Sequence, residues 1–306
     1  GAFSTDCWHG YDWWKLSRVL DVWNVYPRPF QVELVRSLKR PGTYCGFWFG
    51  GYIRPSPGQR HEAFERWAPW YGLLHGMNSV WWFKIYSFAW EECQEDGIAS
   101  DLRVMPSLRW TAEEVARIRE GFDKLLLKCR RENLGIAVLY SHPSVHASTL
   151  EPEGGTHVAS CSALINLLED LGLQFDVVSY AQLARGEVRG RGYKVLLLPC
   201  TRALSAKEKE EAAIFVERGG LLVADFRPGV MDEHCKPIPD PAWWGLFGAS
   251  LDPAAGVGKQ VPASVEGRLK ERRLRLEFRH VAVDKGIKPK GARALGRAGG
   301  APVVLV

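Results

Sequence analysis

Leu20-Asp21-Val22-Trp23-Asn24-Val25-Tyr26-Pro27 reads as a β-branched and aromatic strand that stops at a proline, a residue with no N–H to give a sheet ladder. Residues 12–19 ahead of it read as a short helix, and residues 30–39 behind it as another, closed by Pro41-Gly42. Residues 43–49 form an aromatic strand that runs into Gly50-Gly51, and residues 61–76 read as a helix with an internal Pro69. Residues 79–86 are a second aromatic strand. Strand and helix in alternation predict parallel βα units.

A second run, Ile136-Ala137-Val138-Leu139-Tyr140, is apolar without interruption, as in a strand covered on both faces. Between the two regions, Thr111 and Glu114 are expected to form a capping box. The helix it would start carries Val115, Ile118, Phe122, Leu125 and Leu126 on one face and ends near Arg131. After the second run comes a helix with Leu164, Leu167, Leu168 and Leu171 on one stripe, stopped by Gly172. Strands over residues 175–179 and 193–198, a helix capped by Ser205 with Glu208, and a strand over residues 221–225 complete a doubly wound sheet.

A chain of 306 residues with 46% hydrophobic and 25% charged content exceeds one typical domain. Eleven of the 13 tryptophans precede residue 111, so the two regions differ in their work. No apolar run reaches the length of a membrane span, and no membrane association is expected. Both ends read as internal to a longer chain. Seven scattered cysteines without a C-x-x-C pair indicate neither a disulfide framework nor a zinc knuckle, which favours a reducing, cytoplasmic setting.

Residues 251–306 hold 12 Lys and Arg against 5 Asp and Glu. There, however, Leu274, Leu276 and Phe278 alternate with Arg273, Arg275, Glu277 and Arg279, the period of a half-buried strand with one solvated face. No RNA-binding motif accompanies the arginines, so no nucleic-acid partner is expected.

Ligands of βα folds meet the carboxyl ends of the strands. Those ends offer Asn24 and Tyr26, then Trp48, then Trp81 and Trp82. Flat aromatic faces beside hydrogen-bonding groups suit a sugar ring, which has an apolar C–H face and hydroxyls that need partners. The alternative is that these tryptophans fill a barrel core. Glu91 and Glu92 are adjacent, point opposite ways on an extended chain, and do not make a catalytic pair. His142 and His146 lack a third ligand and read as surface residues; no metal or organic cofactor is expected. Cys200 follows a strand, but with Pro199 before it and no glycine elbow around it, it reads as a structural thiol.

Three stretches carry a family resemblance: Leu20 through Pro27, Gly46-Phe47-Trp48-Phe49, and Leu74-His75-Gly76-Met77-Asn78-Ser79-Val80-Trp81-Trp82-Phe83. With them the first region resembles the last part of the (β/α)8 TIM barrel of family 42 glycoside hydrolases, the β-galactosidases. The second, through residues 135–141, 196–199 and 219–225, resembles that family's trimerisation domain, a flavodoxin-like, class I glutamine-amidotransferase-like doubly wound module. The resemblance implies a partial barrel over residues 1–131 and a trimerisation domain, truncated at its end, over residues 132–306. It also implies a carbohydrate substrate and a homotrimer.

The same resemblance places the family's acid/base glutamate before Gly1, and Gly51 where its nucleophilic glutamate ends the seventh strand. Glycine can form no glycosyl ester. Three readings stay open. A loop carboxylate, Glu62 or Glu65, takes the role in a hydrolase; the chain binds carbohydrate or assembles subunits without cleaving; or Cys200 serves an amidotransferase-like chemistry.

Overall fold

A computed structural model describes residues 10–49, 61–82, 85, 97–99, 101–151, 153–258, 261–269, 272–298 and 301–306. The chain divides into two compact units, one of Gly1–Ile136 with Ser162–Ser179, the other of Ala137–Cys161 with Tyr180–Val306.

The first unit is built on βα repeats, as expected. Helix α1 (Trp13–Ser17) begins where the Asp12 side chain accepts the Lys15 N–H at 3.1 Å. Strand β1 (Val22–Val25) is followed by α2 (Pro29–Leu38), whose first-turn proline needs no N–H partner. Then come β2 (Tyr44–Phe49), α3 (His61–Leu74) and β3 (Trp81–Trp82). The three strands pair in parallel in the order β1-β2-β3, with Asn24 opposite Gly46 and Trp48 opposite Trp81. One side of this sheet is packed: Trp13 stacks on Trp23 with ring centroids 5.2 Å apart, and Val25, Leu34 and Phe47 are buried.

The expected capping box at Thr111 and Glu114 does not form. Helix α4 (Pro106–Arg117) starts earlier, at a proline, which leaves Thr111 and Glu114 inside the helix. Their side chains are used laterally instead. Thr111 donates to Glu65 at 2.7 Å, and Glu114 accepts from Arg66 and Trp70 at 3.0 and 3.1 Å. The helix then widens into a π segment (Ile118–Phe122) before α5 (Asp123–Leu126). That shift of register breaks the predicted apolar face: Ile118 is buried, whereas Phe122 and Leu125 are exposed.

Strand β4 (Ile136–Tyr140) is buried from Ala137 to Tyr140, in keeping with its unbroken apolar run. Helices α6 (His142–Leu150) and α7 (His157–Asp170) lead to β5 (Phe175–Ser179). Short helices α8 (Tyr180–Ala184) and α9 (Glu187–Gly190) precede β6 (Val195–Leu198); α10 (Ala206–Glu217) and β7 (Leu221–Ala224) follow. The strand order is β5-β4-β6-β7, a doubly wound sheet. The Ser205–Glu208 capping box is present at α10.

Beyond it, α11 (Pro241–Gly245) and β8 (Ala249–Leu251) lead into antiparallel structure that the doubly wound reading did not include. Strands β9 (Val261–Leu269), β10 (Arg272–Val281), β12 (Ala294–Ala298) and β13 (Ala301–Leu305) pair in the order β10-β9-β12-β13, and β11 (Ile287–Pro289) pairs with β8. The half-buried face expected of β10 is absent, since Leu276 and Phe278 are 55% and 44% exposed. β10 is an edge strand of its sheet.

A charged centre lies within the first unit. Glu33 of α2, with no exposed side-chain surface, accepts from Arg36 and Arg131 at 2.8 Å each and contacts the His75 ring. Arg36 also donates to Asp176 at 3.0 Å and to the Phe175 carbonyl at 2.6 Å. Burial alone would raise the Glu33 pKa, but Arg36, the His75 hydrogen bond and Arg131 outweigh it and hold the carboxyl down at about 2.

Its folded value thus lies below the ordinary value of 4.5, so Glu33 adds stability above that pH and the contribution is lost as pH falls through 2. Glu33→Gln is expected to lower the unfolding free energy at pH 7 by about 3 kcal/mol, because two guanidinium groups lose their buried counter-charge. In urea titrations the gap between parent and variant should narrow from pH 4.5 towards 2; a gap independent of pH would count against this assignment.

Candidate functional site

Side chains alternate along each strand, and the parallel register fixes which of them share a side. Asn24, Gly46, Trp48 and Trp81 fall on one face of β1-β2-β3, and Trp23, Val25, Cys45, Phe47 and Trp82 on the other. The second face is the one packed against helices, since the Phe47 ring meets Gly72 of α3. The first is the opposite side of the sheet.

On that face Gly46 makes room for its neighbour. A Cβ there would stand 2.3 Å from the Ser79 carbonyl oxygen and 2.8 Å from Trp81 Cδ1. The Trp81 indole therefore lies beside the Gly46 backbone and donates its N–H to Ser79 Oγ at 2.8 Å. Asn24, opposite Gly46, is wholly buried, and among the described residues neither its amide oxygen nor its amide nitrogen has a hydrogen-bond partner. A buried amide left so costs about 1–3 kcal/mol. Tyr26, just past β1, donates its backbone N–H to Gln31 Oε1 at 3.0 Å and lies under the Arg28 guanidinium.

The structure thus brings Asn24, Trp48 and Trp81 together and sets Trp82 apart, on the opposite face beside Gly97 and Leu108. Glu62 is half exposed and accepts from Arg66 at 2.8 Å. Glu65 has no exposed surface and takes the Thr111 hydroxyl. Gly51 and the Glu91-Glu92 pair lie outside the described residues. Hydrolysis of a glycoside needs two carboxyl groups across the bond, and the described part of this face carries none. It can hold an apolar ring face and bond a hydroxyl; alone it supplies no acid and no nucleophile.

Among the described residues, Glu33, His75 and Glu169 place ligand atoms within 4.8 Å of one another. Glu33 is already neutralised by two arginines, so a cation there would compete with two guanidinium groups. His142 and His146 face each other at 3.1 Å on α6.

The doubly wound sheet presents Ser141, Cys200 and Asp225 at its carboxyl ends. Cys200 has φ +37°, the strained geometry of a nucleophile elbow, and its N–H is taken by Asp225. No activation follows. Burial pushes the thiol pKa up more than the nearby Arg202 pulls it down. The buried His157 is occupied at both ring nitrogens, by the Ser141 N–H at 3.0 Å and the Pro199 carbonyl at 2.6 Å, and burial lowers its pKa to about 4. Above Cys200, Arg202 fastens the 151–155 loop by bonding the carbonyls of Glu151, Glu153 and Gly155, and the Cys200 thiol itself turns to the Gly155 carbonyl at 3.6 Å. The carboxyl end of β6 is thus closed by the chain itself.

The sequence profile of the β-galactosidase trimerisation domain matches residues 135–301, more than half of the chain. No curated protein matches the sequence. Among solved structures, the β-galactosidase from Bacillus circulans sp. alkalophilus is similar with a TM-score of 0.72 and 19% identity, over 96% of this chain and 46% of that one. The β-galactosidase from Rahnella sp. R3 gives 0.74 and 18%, over 97% and 47%. That from the psychrophilic Marinomonas ef1 gives 0.72 and 18%, over 97% and 49%. The chain spans about half the length of these proteins, and its fold is theirs over nearly all of that span.

Two outcomes are expected. Asn24→Leu should raise the unfolding free energy by about 1–3 kcal/mol, since an unpartnered amide is replaced by an apolar side chain of similar volume; a loss of stability in thermal or urea melts would mean that the amide is satisfied. Iodoacetamide at neutral pH should alkylate Cys200 roughly tenfold or more slowly than the exposed Cys129, followed by peptide mass spectrometry. Arg202→Ala should remove most of that difference.

Proposed function

Since this chain belongs to the β-galactosidase trimerisation domain family, we propose that it is the rear portion of a β-galactosidase-type glycoside hydrolase. In this reading residues 1–131 supply the aromatic wall of a carbohydrate cleft, and residues 132–306 join subunits into a trimer. The reaction is hydrolysis of a β-linked glycoside through an oxocarbenium-like transition state. The acid/base carboxyl comes from barrel strands that this half of the scaffold does not contain.

The observation that carries the reading is Asn24, buried and, among the described residues, unpartnered on the face that also bears Trp48 and Trp81. Such a group is costly in the free chain and useful only with a polar partner, and a sugar hydroxyl beside an aromatic face is one. Tyr26 and Trp82 are assigned supporting roles, Tyr26 at the rim and Trp82 in fixing β3 from behind. Five free thiols among the described residues fit a reducing compartment such as the cytoplasm, and no described helix is long and apolar enough to cross a membrane.

A second reading, a carbohydrate-binding or assembly protein without catalysis, is favoured by one feature: the described face has tryptophans but no carboxylate. Glu62 and Glu65 stand on α3 rather than in a loop, and Glu62 is the better placed of the two for a nucleophile's work, because it reaches solvent while Glu65 does not.

Expression of the complete reading frame, with the 306-residue chain as control, against chromogenic α- and β-glycosides separates the two. Turnover of β-galactosides by the long form alone is expected. If no glycoside is turned over while oligosaccharides still quench tryptophan fluorescence, the hydrolase reading fails and the binding protein stands.

A further inference from the structure

Beside the closed end of β6, the second unit has an open cavity of about 540 Å³. Trp244 and Ile238 contribute apolar wall, and Glu151, Arg227, Asp240 and Ser250 contribute polar groups. The volume falls within the roughly 300–1,000 Å³ of ligand pockets, and the cavity lies past the edge strand β7, away from the β6 end that Arg202 closes. Arg227 has φ +42°, a strained backbone at a strand end whose side chain faces a cavity.

The charges of this wall are paired in advance. Arg227 is locked by a two-point contact to buried Asp284, which also accepts the Gly286 N–H at 2.9 Å. Lys209 donates to Asp240 at 3.0 Å, and Asp240 caps α11 through the Trp243 N–H at 3.0 Å. Glu151 alone is loosely held, 3.7 Å from Arg202 and 40% exposed. An anion would meet two carboxylates here, and an organic cation would find one carboxylate that is not already bonded to a base. An uncharged polyhydroxylated molecule fits better. Its hydroxyls can donate to Glu151 and Asp240 and accept from the Arg227 N–H groups not turned to Asp284, while its C–H face covers Trp244 and Ile238.

We propose that this cavity is an accessory saccharide-binding site, for a neutral sugar of one or two rings, separate from the face of β1-β2-β3. It stands whether or not that face binds or cleaves a glycoside.

The test is ¹⁹F NMR of the full chain labelled with 5-fluorotryptophan, with the Trp244 line assigned by its loss in Trp244→Phe. Lactose, inorganic phosphate and spermidine are titrated separately. A saturable shift of the Trp244 line with lactose is expected, with Glu151→Gln raising Kd about tenfold for the loss of one charge-assisted hydrogen bond. Ser250→Ala gives a second, milder perturbation. The proposal is overturned if lactose leaves the Trp244 line in place, if phosphate or spermidine moves it instead, or if neither variant changes the affinity. Shifts of the tryptophan lines other than Trp243 and Trp244 report on the first unit independently, so the two sites can fail separately.

Discussion

A carboxylate with no access to water holds the first unit together. Glu33 sits on the apolar face of α2 and is reached by Arg36 from one turn away, by His75 from the end of α3 and by Arg131 from the segment after α5. Arg36 carries the network on to Phe175 and Asp176 at the start of β5, and Asn133 joins Asp176 at 2.8 Å. Four separate stretches of chain are thereby fixed at one point. Burial of these charges is tolerable only because each is met by another at hydrogen-bond distance, and removal of any one strands the rest. The helices so fixed are the ones that pack behind β1-β2-β3, and their positions determine the face that the strands present.

That face is organised by what it lacks. Gly46 has no side chain, and Trp81 takes up the space; among the described residues Asn24 has an amide and no partner, and no carboxylate stands on this face. Each is poor design for a self-sufficient core, which is why the proposed carbohydrate wall is placed there. In the second unit the logic runs the other way. The carboxyl end of β6 is filled by the 151–155 loop, Cys200 is strained but buried, and His157 has spent both ring nitrogens on the backbone.

The strands and most helices were legible in the sequence because their apolar periods are strong and local: the unbroken 136–140 run, the Ser205–Glu208 box, the aromatic strands. The Thr111–Glu114 box misled because the same residue types serve equally well as lateral partners, here for Glu65, Arg66 and Trp70, once Pro106 has started the helix five residues earlier. Alternation predicted that half of each aromatic strand would face a site, but only the pairing of Trp48 with Trp81 says which half. The Glu33 centre left one faint signal, an acid among Phe30, Leu34 and Val35 on a helix; its partners come from distant segments that no local pattern connects. Arg202 and Arg227 likewise read as ordinary surface arginines until the fold buries them.

The most direct measurement of the central claim is photoaffinity labelling with a diazirine-bearing β-galactoside, followed by peptide mapping. Label on residues 44–49 and 79–82, suppressed by excess unmodified galactoside, is the result predicted for a carbohydrate wall built on Asn24, Trp48 and Trp81. Label absent from both segments, or present but indifferent to competitor, would contradict it.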